Sequence, residues 1–343
     1  MATIRQIAEK SGVSAGAVSR ILNNDATLSV SDSTREKVFK TADSLGYKKK
    51  ERKNSHVKQG FSLGIVQWFT LEEELEDPYY LLVRRGIEDY CSKNGISIIR
   101  FFPSDYSTAS ADFLSGMKDE IKKADGLVCV GKFSEKEMKK FIGICPNIVF
   151  LDMDSKNLNA SSITMDFRHA LKDALDYFLE LGHKKIAYLG GREFVGNHEA
   201  LKDPRETAFI DYMTKKKMDY KDYLRAGSFT SSSGYEMMND LFDKNNIPTA
   251  VFAASDAIAL GAMRSINEHG LKIPRDISII GFNDLDTCKY TTPALTSIHA
   301  PAYEMGAHGA NMVFSAANLQ ANTPLKIKIP CELIKRESCK EIK

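Results

Sequence analysis

At 343 residues and 43% hydrophobic composition, the chain is long enough for two or three globular units that each bury an ordinary core, which excludes a disordered polymer. The formal charge is only +2, yet residues 1–58 hold twelve Lys/Arg against six Asp/Glu, so the remainder is acidic by about four charges. Such local positive charge suggests a small polyanion-binding module attached to a body with other work; a solvated lysine run is the plainer alternative. "MATIRQIAEKSG" carries charges where a signal peptide needs an apolar stretch, and no run of about 18 apolar residues occurs, so a cytoplasmic protein without a membrane span is expected. Six cysteines (Cys91, Cys129, Cys145, Cys288, Cys331, Cys339) show neither CxxC nor His-paired spacing; reduced thiols, no metal and no cofactor are expected.

From Thr3, the apolar positions Ile4, Ile7 and Ala8 fall at helical spacing until Gly12 breaks the pattern, and Ser14 restarts it as an N-cap. The second helix carries Val18, Ile21 and Leu22 on one face. A third begins at "SVSDSTREKV", capped by Ser31, and is expected to bury Val38, Phe39, Ala42 and Leu45 before Gly46 ends it. "YKKKERKNSHVKQG" (47–60) is charged and reads as a linker. After Phe61 short apolar runs alternate with helical stretches, the pattern of a parallel sheet flanked by helices. Strands are expected at Leu63–Gln67, Ser97–Phe102, Gly126–Val130, Ile148–Asp152, Lys185–Leu189, Ala250–Ala253 and Ile277–Gly281. Helices are expected at Pro78–Asn94, Phe167–Leu181, Pro204–Lys215, Gly234–Asp243 and Ala257–His269, several leaving through a glycine, as in "SKNGISIIRFF". The fold class is therefore α/β: a helix-turn-helix domain at 1–47, a linker at 48–60, and a body at 61–343 whose many strands suit two lobes.

The spacing of Ala8, Gly12 and Val18 is that of a helix-turn-helix: a small residue for close packing, a turn, and a plug for the shared core. An ordinary helical hairpin can share that spacing; the basic context and third helix favour DNA. In this geometry the second helix enters the major groove, so Ala15, Gly16, Ser19 and Arg20 are candidates for reading base edges, with Asn23 beyond them. Arg20 can donate two hydrogen bonds to guanine, or else contact a phosphate. Gly16 weakens its own helix, but a tip of short side chains approaches bases closely, and the Ala15 methyl can meet a thymine methyl. Thr3, Ser14, Ser31 and Thr34 stand at helix starts, where hydroxyls receive phosphates or simply cap. A single small module discriminates poorly among genomic sites, so a homodimer on a near-palindrome is expected.

These residues carry a resemblance. "ATIRQIAEKSGVSAGAVSRILN", "VSDSTREKV" and "LGY", followed by "RETAFIDYM", "AVFAASDAIALGAMRSINEHGLKIPRDISIIGFND" and "TTPALTSI", resemble the lactose repressor/galactose repressor family of bacterial regulators over the whole chain. "EDPYYLLVRRGIE", "ASDAIALG" and "GFND" look most like the branch of galactose-operon repressors and the evolved beta-galactosidase repressor. The resemblance implies a periplasmic-binding-protein-like body of two lobes joined by three crossovers. The first lobe is expected at about 61–163 and 296–322, the second at about 164–295 and 323–343, with a sugar in the cleft. By motif, Asp152, Arg205, Ser255 and Asn283 fall at effector-contact positions, and Trp68 and Tyr79 are suited to cover the apolar face of a pyranose. Taken singly these residues read as a strand-end turn, an ion pair, a helix cap and turn residues. The family's minor-groove hinge helix carries an Ala and a Leu that "KKKERKNSHVKQGF" lacks, so the hinge is expected to bind mainly by charge, with Asn54 a hinge candidate and Val57 the candidate wedge. No leucine heptad follows "KIKIPCELIKRESCKEIK", so dimers rather than tetramers are expected.

The expected function is a repressor of a galactose or beta-galactoside operon, released from operator DNA by a sugar inducer. A regulator assisted by a co-repressor or a phosphoprotein is the alternative within the family, and a sugar receptor without DNA function the alternative outside it. An enzyme is not expected: "LGGREFVG" fails the GxGxxG pattern, and "SSSG" at 231–234 is no nucleophile elbow.

Overall fold

The computed structural model describes residues 3–22, 28, 30–47, 60–101, 117–196, 199–319 and 323–342. The chain divides into two compact units, Met1–Val57 and Lys58–Lys343. In the first, α1 (Ile4–Ser11), α2 (Ala15–Leu22) and α3 (Asp32–Ser44) enclose Ile7, Val18, Ile21, Val38 and Ala42, with Ala8, Leu22 and Leu45 packed at the margin. α1 opens on a reciprocal cap: Gln6 N donates to Thr3 Oγ1 at 3.3 Å and Thr3 N donates to Gln6 Oε1 at 2.9 Å. It ends at Gly12, whose φ of +67° is the left-handed exit that a side chain resists. Phe39, expected inside, is 43% exposed. Val38, Ala42 and Leu45 share one stripe, and Phe39 is rotated about 100° away from Val38, off that stripe.

The second unit contains two six-stranded sheets and a small ribbon. In chain order the strands are β1 Ser62–Gln67, β2 Ser97–Phe101, β3 Gly126–Val130, β4 Ile148–Leu151, β5 Ser161–Met165, β6 Ile186–Gly191, β7 Glu193–Val195, β8 Glu199–Leu201, β9 Leu224–Gly227, β10 Ala250–Ala253, β11 Ser278–Asn283, β12 Thr296–His299, β13 Lys326–Ile329 and β14 Glu332–Ile334. The first sheet runs β13-β5-β4-β3-β1-β2 and the second β14-β12-β11-β10-β6-β9. All pairings in them are parallel except β12 with β14. β3, β4 and β10 are buried at every position, which is why they read as unbroken apolar runs covered by helices on both faces.

The chain crosses between lobes three times, after Met165, after His299 and after Ile329. The two later crossovers differ from expectation. β12 lies in the second sheet between β14 and β11, and β13 lies in the first beside β5, so residues 296–299 belong to the second lobe and 326–329 to the first. Both strands are four residues long, too short for their alternation to name a partner sheet. The helices Glu135–Ile144 and Ala302–Leu319, which the sequence reading passed over, flank the first sheet.

Each lobe holds a pair of helices pressed backbone to backbone. A Cβ on Gly86 would stand 2.0 Å from Tyr303 O, and one on Gly306 would stand 1.9 Å from Val83 O. The helices Ser231–Asp243 and Asp256–Glu268 repeat the device, with Gly234 against Ile258 O and Gly261 against Ser231 O at 2.1 and 1.8 Å. Among the described residues no helix is long and apolar enough to cross a membrane.

Candidate functional site

Two sets of residues carry chemistry, one in each unit. On α2 the inward face is Val18 and Ile21, both fully buried, which turns Ala15, Gly16 and Arg20 outward; Ser19 is half-buried. A Cβ built on Gly16 meets nothing within 4 Å. The protein's own packing therefore gives no reason for glycine there. The predicted hydroxyls act as caps: Ala17 N donates to Ser14 Oγ at 3.2 Å, Thr34 N donates to Ser31 Oγ at 3.3 Å, and the Thr34 and Ser31 hydroxyls bond each other at 2.8 Å. Arg35 Nη2 donates to Leu28 O at 2.7 Å, tying α3 to the segment before it. Asn23, Asn54 and Val57 lie outside the described residues.

In the second unit a cavity of about 430 Å³ lies between the lobes, at the carboxyl ends of the parallel strands, where open α/β sheets place ligands. Trp68, Tyr79, Asp152, Arg205 and Asn283, predicted from five separate stretches, all line it. Asp152 follows β4 with a φ of +63° and Asn283 ends β11 with a φ of +111°, so both strand ends turn through backbone that costs a side-chain-bearing residue. Asn283 Nδ2 donates to Asp77 Oδ1 at 3.4 Å, joining the lobes, as does Trp68 Nε1 donating to Phe194 O at 3.2 Å.

Arg205 is held in place before any ligand arrives. Its Nε and Nη2 donate to Asp203 at 2.7–3.1 Å, and Nη1 donates to Ala254 O at 2.9 Å. Phe167, Phe229 and Phe282 surround the guanidinium with ring centroids 4.8–5.5 Å from its carbon. One N–H on each terminal nitrogen remains beyond these bonds. Burial works against the Asp203 carboxylate, but Arg205 holds its pKa below the usual range.

On the opposite wall Lys132, almost fully buried behind the cavity, donates to both Asp152 O and Asp152 Oδ2 at 2.6 Å, and the Tyr80 hydroxyl donates to the same Oδ2 at 3.0 Å. Asp152 Oδ1 has no hydrogen-bond partner among the described residues. Glu193 Oε2 is in the same condition, 3.7 Å from Lys132 Nζ, and burial pushes the Glu193 carboxyl up from its ordinary range. Burial likewise raises Asp77 to about 6, against the hydrogen bond it accepts from Tyr79 N. Aromatic faces, a fixed guanidinium and carboxylate oxygens lacking donors make a cavity that accepts hydroxyls from a compact polar molecule.

Ser255 does not line this cavity. It is fully buried, and its Oγ accepts from Ile258 N at 3.3 Å as the N-cap of the helix Asp256–Glu268. The structure gives this hydroxyl the cap role and no place on the cavity lining. The Tyr79 hydroxyl points toward Met305 Sδ, 3.9 Å away, while Tyr80 reaches Asp152 and stacks on Phe69 at 4.3 Å. Sequence reasoning missed Tyr80, Lys132 and Glu193. Lys132 follows the apolar run "GLVCVG" and Glu193 follows "IAYLGGR", so their places just beyond the carboxyl ends of expected parallel strands are a signal that could have selected them.

The description "Bacterial regulatory proteins, lacI family" matches residues 3–50, and "Periplasmic binding protein-like domain" matches residues 175–339. The chain is 34% identical over 342 residues to the HTH-type transcriptional regulator GalR of Streptococcus thermophilus, covering 99% of this chain and 100% of that one. It is 31% identical over 350 residues to the HTH-type transcriptional repressor MelR of Bacillus subtilis (strain 168), covering 99% and 98%. A solved structure, the transcriptional regulator CelR-cellobiose complex, shares the fold with a TM-score of 0.71 at 22% identity, over 98% of this chain and 100% of that one. These relatives are transcriptional regulators and not enzymes. With a three-helix DNA-reading unit, a two-lobed body and full-length similarity above 30%, the chain belongs to the lacI family of bacterial regulatory proteins.

Proposed function

We propose that this regulator is a cytoplasmic homodimer that represses a galactose or beta-galactoside utilisation operon and leaves its operator when a sugar binds between the lobes. In this reading Ala15, Gly16, Ser19, Arg20 and Asn23 read base edges, Thr3, Ser14, Ser31 and Thr34 lie along the phosphates, and Asn54 and Val57 act in the hinge. Trp68, Tyr79, Asp152, Arg205 and Asn283 hold the sugar. The observation that carries it is the cleft: five residues far apart in sequence line one cavity, which offers aromatic faces, a fixed arginine and carboxylate oxygens that need donors. Two-fold pairing supplies the second headpiece that a near-palindromic operator requires.

The test is calorimetry of the full-length protein with galactose, lactose and allolactose, with and without operator DNA. Linkage requires that operator weakens sugar affinity by the same factor by which sugar weakens operator affinity. Equal sugar affinity with and without operator overturns the inducer mechanism. Operator binding is also expected to fall steeply with salt, because the basic headpiece displaces phosphate counterions.

A further inference from the structure

The second lobe reaches toward the first through β7 and β8. Phe194 O receives the Trp68 indole N–H, and Leu201 packs against a first-lobe cluster that contains Phe133 and Phe141. Glu193 enters the cavity from the same ribbon, 8% exposed. Lys132 faces it but directs its short hydrogen bonds to Asp152, leaving Glu193 an ion pair at 3.7 Å. Among the residues lining the cavity, only Asp152 and Glu193 hold a buried polar atom without a hydrogen-bond partner; both atoms are acceptors, and one stands on each lobe. A buried carboxylate oxygen left so is costly until a ligand donates to it. Lys132 is committed to Asp152 and Arg205 to Asp203, while Arg192 also lines the cavity and is exposed.

We propose that Glu193 is the specificity-determining residue of the effector cleft: its Oε2 accepts a hydroxyl from a polyol that also donates to Asp152 Oδ1, so that the ligand bridges the lobes. This rests on the effector reading given above and adds the group that reads the ligand's hydroxyls. A pH signature accompanies it. Burial raises Glu193 to about 7, with Lys132 and Arg205 lowering it and Asp152 and Asp203 raising it. A hydroxyl donates more strongly to the ionised carboxylate than to the neutral acid, so sugar affinity is greatest above pH 7 and declines as Glu193 takes up its proton. Asp77, raised to about 6, lines the same cavity, and Asp256 beyond the lining is raised to about 7, so the Glu193→Gln variant, and not the pH range alone, assigns the slope to Glu193.

Trp68 is the only tryptophan in the chain and sits at the site, so fluorescence of the full-length protein reports binding directly. The titration uses galactose, lactose and allolactose. One of these sugars is expected to saturate the signal, with affinity up to about fourfold weaker at pH 6.5 than at pH 8.5 for one group titrating near 7. Glu193→Ala is expected to weaken that sugar roughly 10- to 100-fold, the range for a hydrogen bond to a charged group. Glu193→Gln preserves the side chain's shape and one acceptor oxygen, and is expected to abolish the pH dependence. Glu193→Ala binding within about twofold of the unaltered protein, or a pH slope surviving in Glu193→Gln, overturns the assignment while leaving the cleft as an effector site. An unaltered protein that responds to no neutral sugar overturns the effector reading and this assignment together.

Discussion

Replacing Gly16 with alanine separates what α2 needs for its own stability from what it needs for DNA. The helix is eight residues long, and Gly16 occupies its second position with ordinary right-handed backbone. Nothing lies within 4 Å of where the new methyl would sit. The substitution therefore adds helix propensity without a clash and is expected to stabilise the headpiece by about 0.5–1 kcal/mol. In a unit this small that shifts its unfolding midpoint upward by roughly 4–8 °C per kcal/mol. If the exposed tip reads bases by close approach, the same methyl occupies space the DNA needs. Discrimination at the affected base pair is then expected to change by about 1–3 kcal/mol, while nonspecific binding and its salt slope stay as they were, since no phosphate contact is lost. The assay pairs thermal unfolding with a binding-site selection on the full-length protein. A raised midpoint with an unaltered preferred site and affinity refutes the close-approach argument and leaves Gly16 without a reading role.

Ser255→Ala removes a buried cap and leaves Ile258 N without its partner, so a loss of about 1–2 kcal/mol is expected in denaturant unfolding, with sugar affinity unchanged within about twofold; a larger loss of sugar affinity in the folded variant would return Ser255 to the effector site. Gly261→Ala places a methyl 1.8 Å from Ser231 O, and the helices must separate, at a cost of about 1–3 kcal/mol seen as a lower thermal midpoint of the body. An unchanged midpoint would mean that the helix pair yields without strain.

The elements legible in the sequence were those whose patterns are local. Gly12, Gly95, Gly182 and Gly270 all adopt the positive φ that a helix exit asks for, and the strands β3 and β10 begin and end where their apolar runs do. β12 and β13 were assigned to the wrong lobes because sheet membership is a long-range property: β13 pairs with β5 more than 160 residues earlier, and four residues of "KIKI" carry no trace of that partner. The helix Ala302–Leu319 escaped notice because its glycines and alanines, needed for the close crossing with Tyr79–Asn94, dilute the apolar periodicity on which helix recognition depends. Of the residues that motif resemblance selects, Asp152, Arg205 and Asn283 line the cavity, while the hydroxyl of Ser255 satisfies the helix it precedes. Lys132 carried a usable local signal in its place at a strand end. That its partner is Asp152 is written only in the fold.

The cleft is assembled from charges that neutralise one another in pairs, and this shapes what it can do. Arg205 with Asp203 and Lys132 with Asp152 cancel the large electrostatic cost that a lone buried ion would carry. Each pair is confined to one lobe, so it fixes local geometry without binding the lobes together. Among the described residues the polar contacts that cross are weaker: a 3.4 Å hydrogen bond from Asn283 to Asp77, one indole N–H to a backbone oxygen and a long ion pair from Lys132 to Glu193; apolar packing also crosses, through Leu201, Leu82 and a core cluster shared by both lobes. A molecule of modest affinity can outweigh such contacts only where they are few, because a ligand shifts an equilibrium by no more than its differential affinity for the two states. Strong polar bonds within lobes and sparse polar bonds between them are therefore what a small effector needs in order to set the relative disposition of the two lobes.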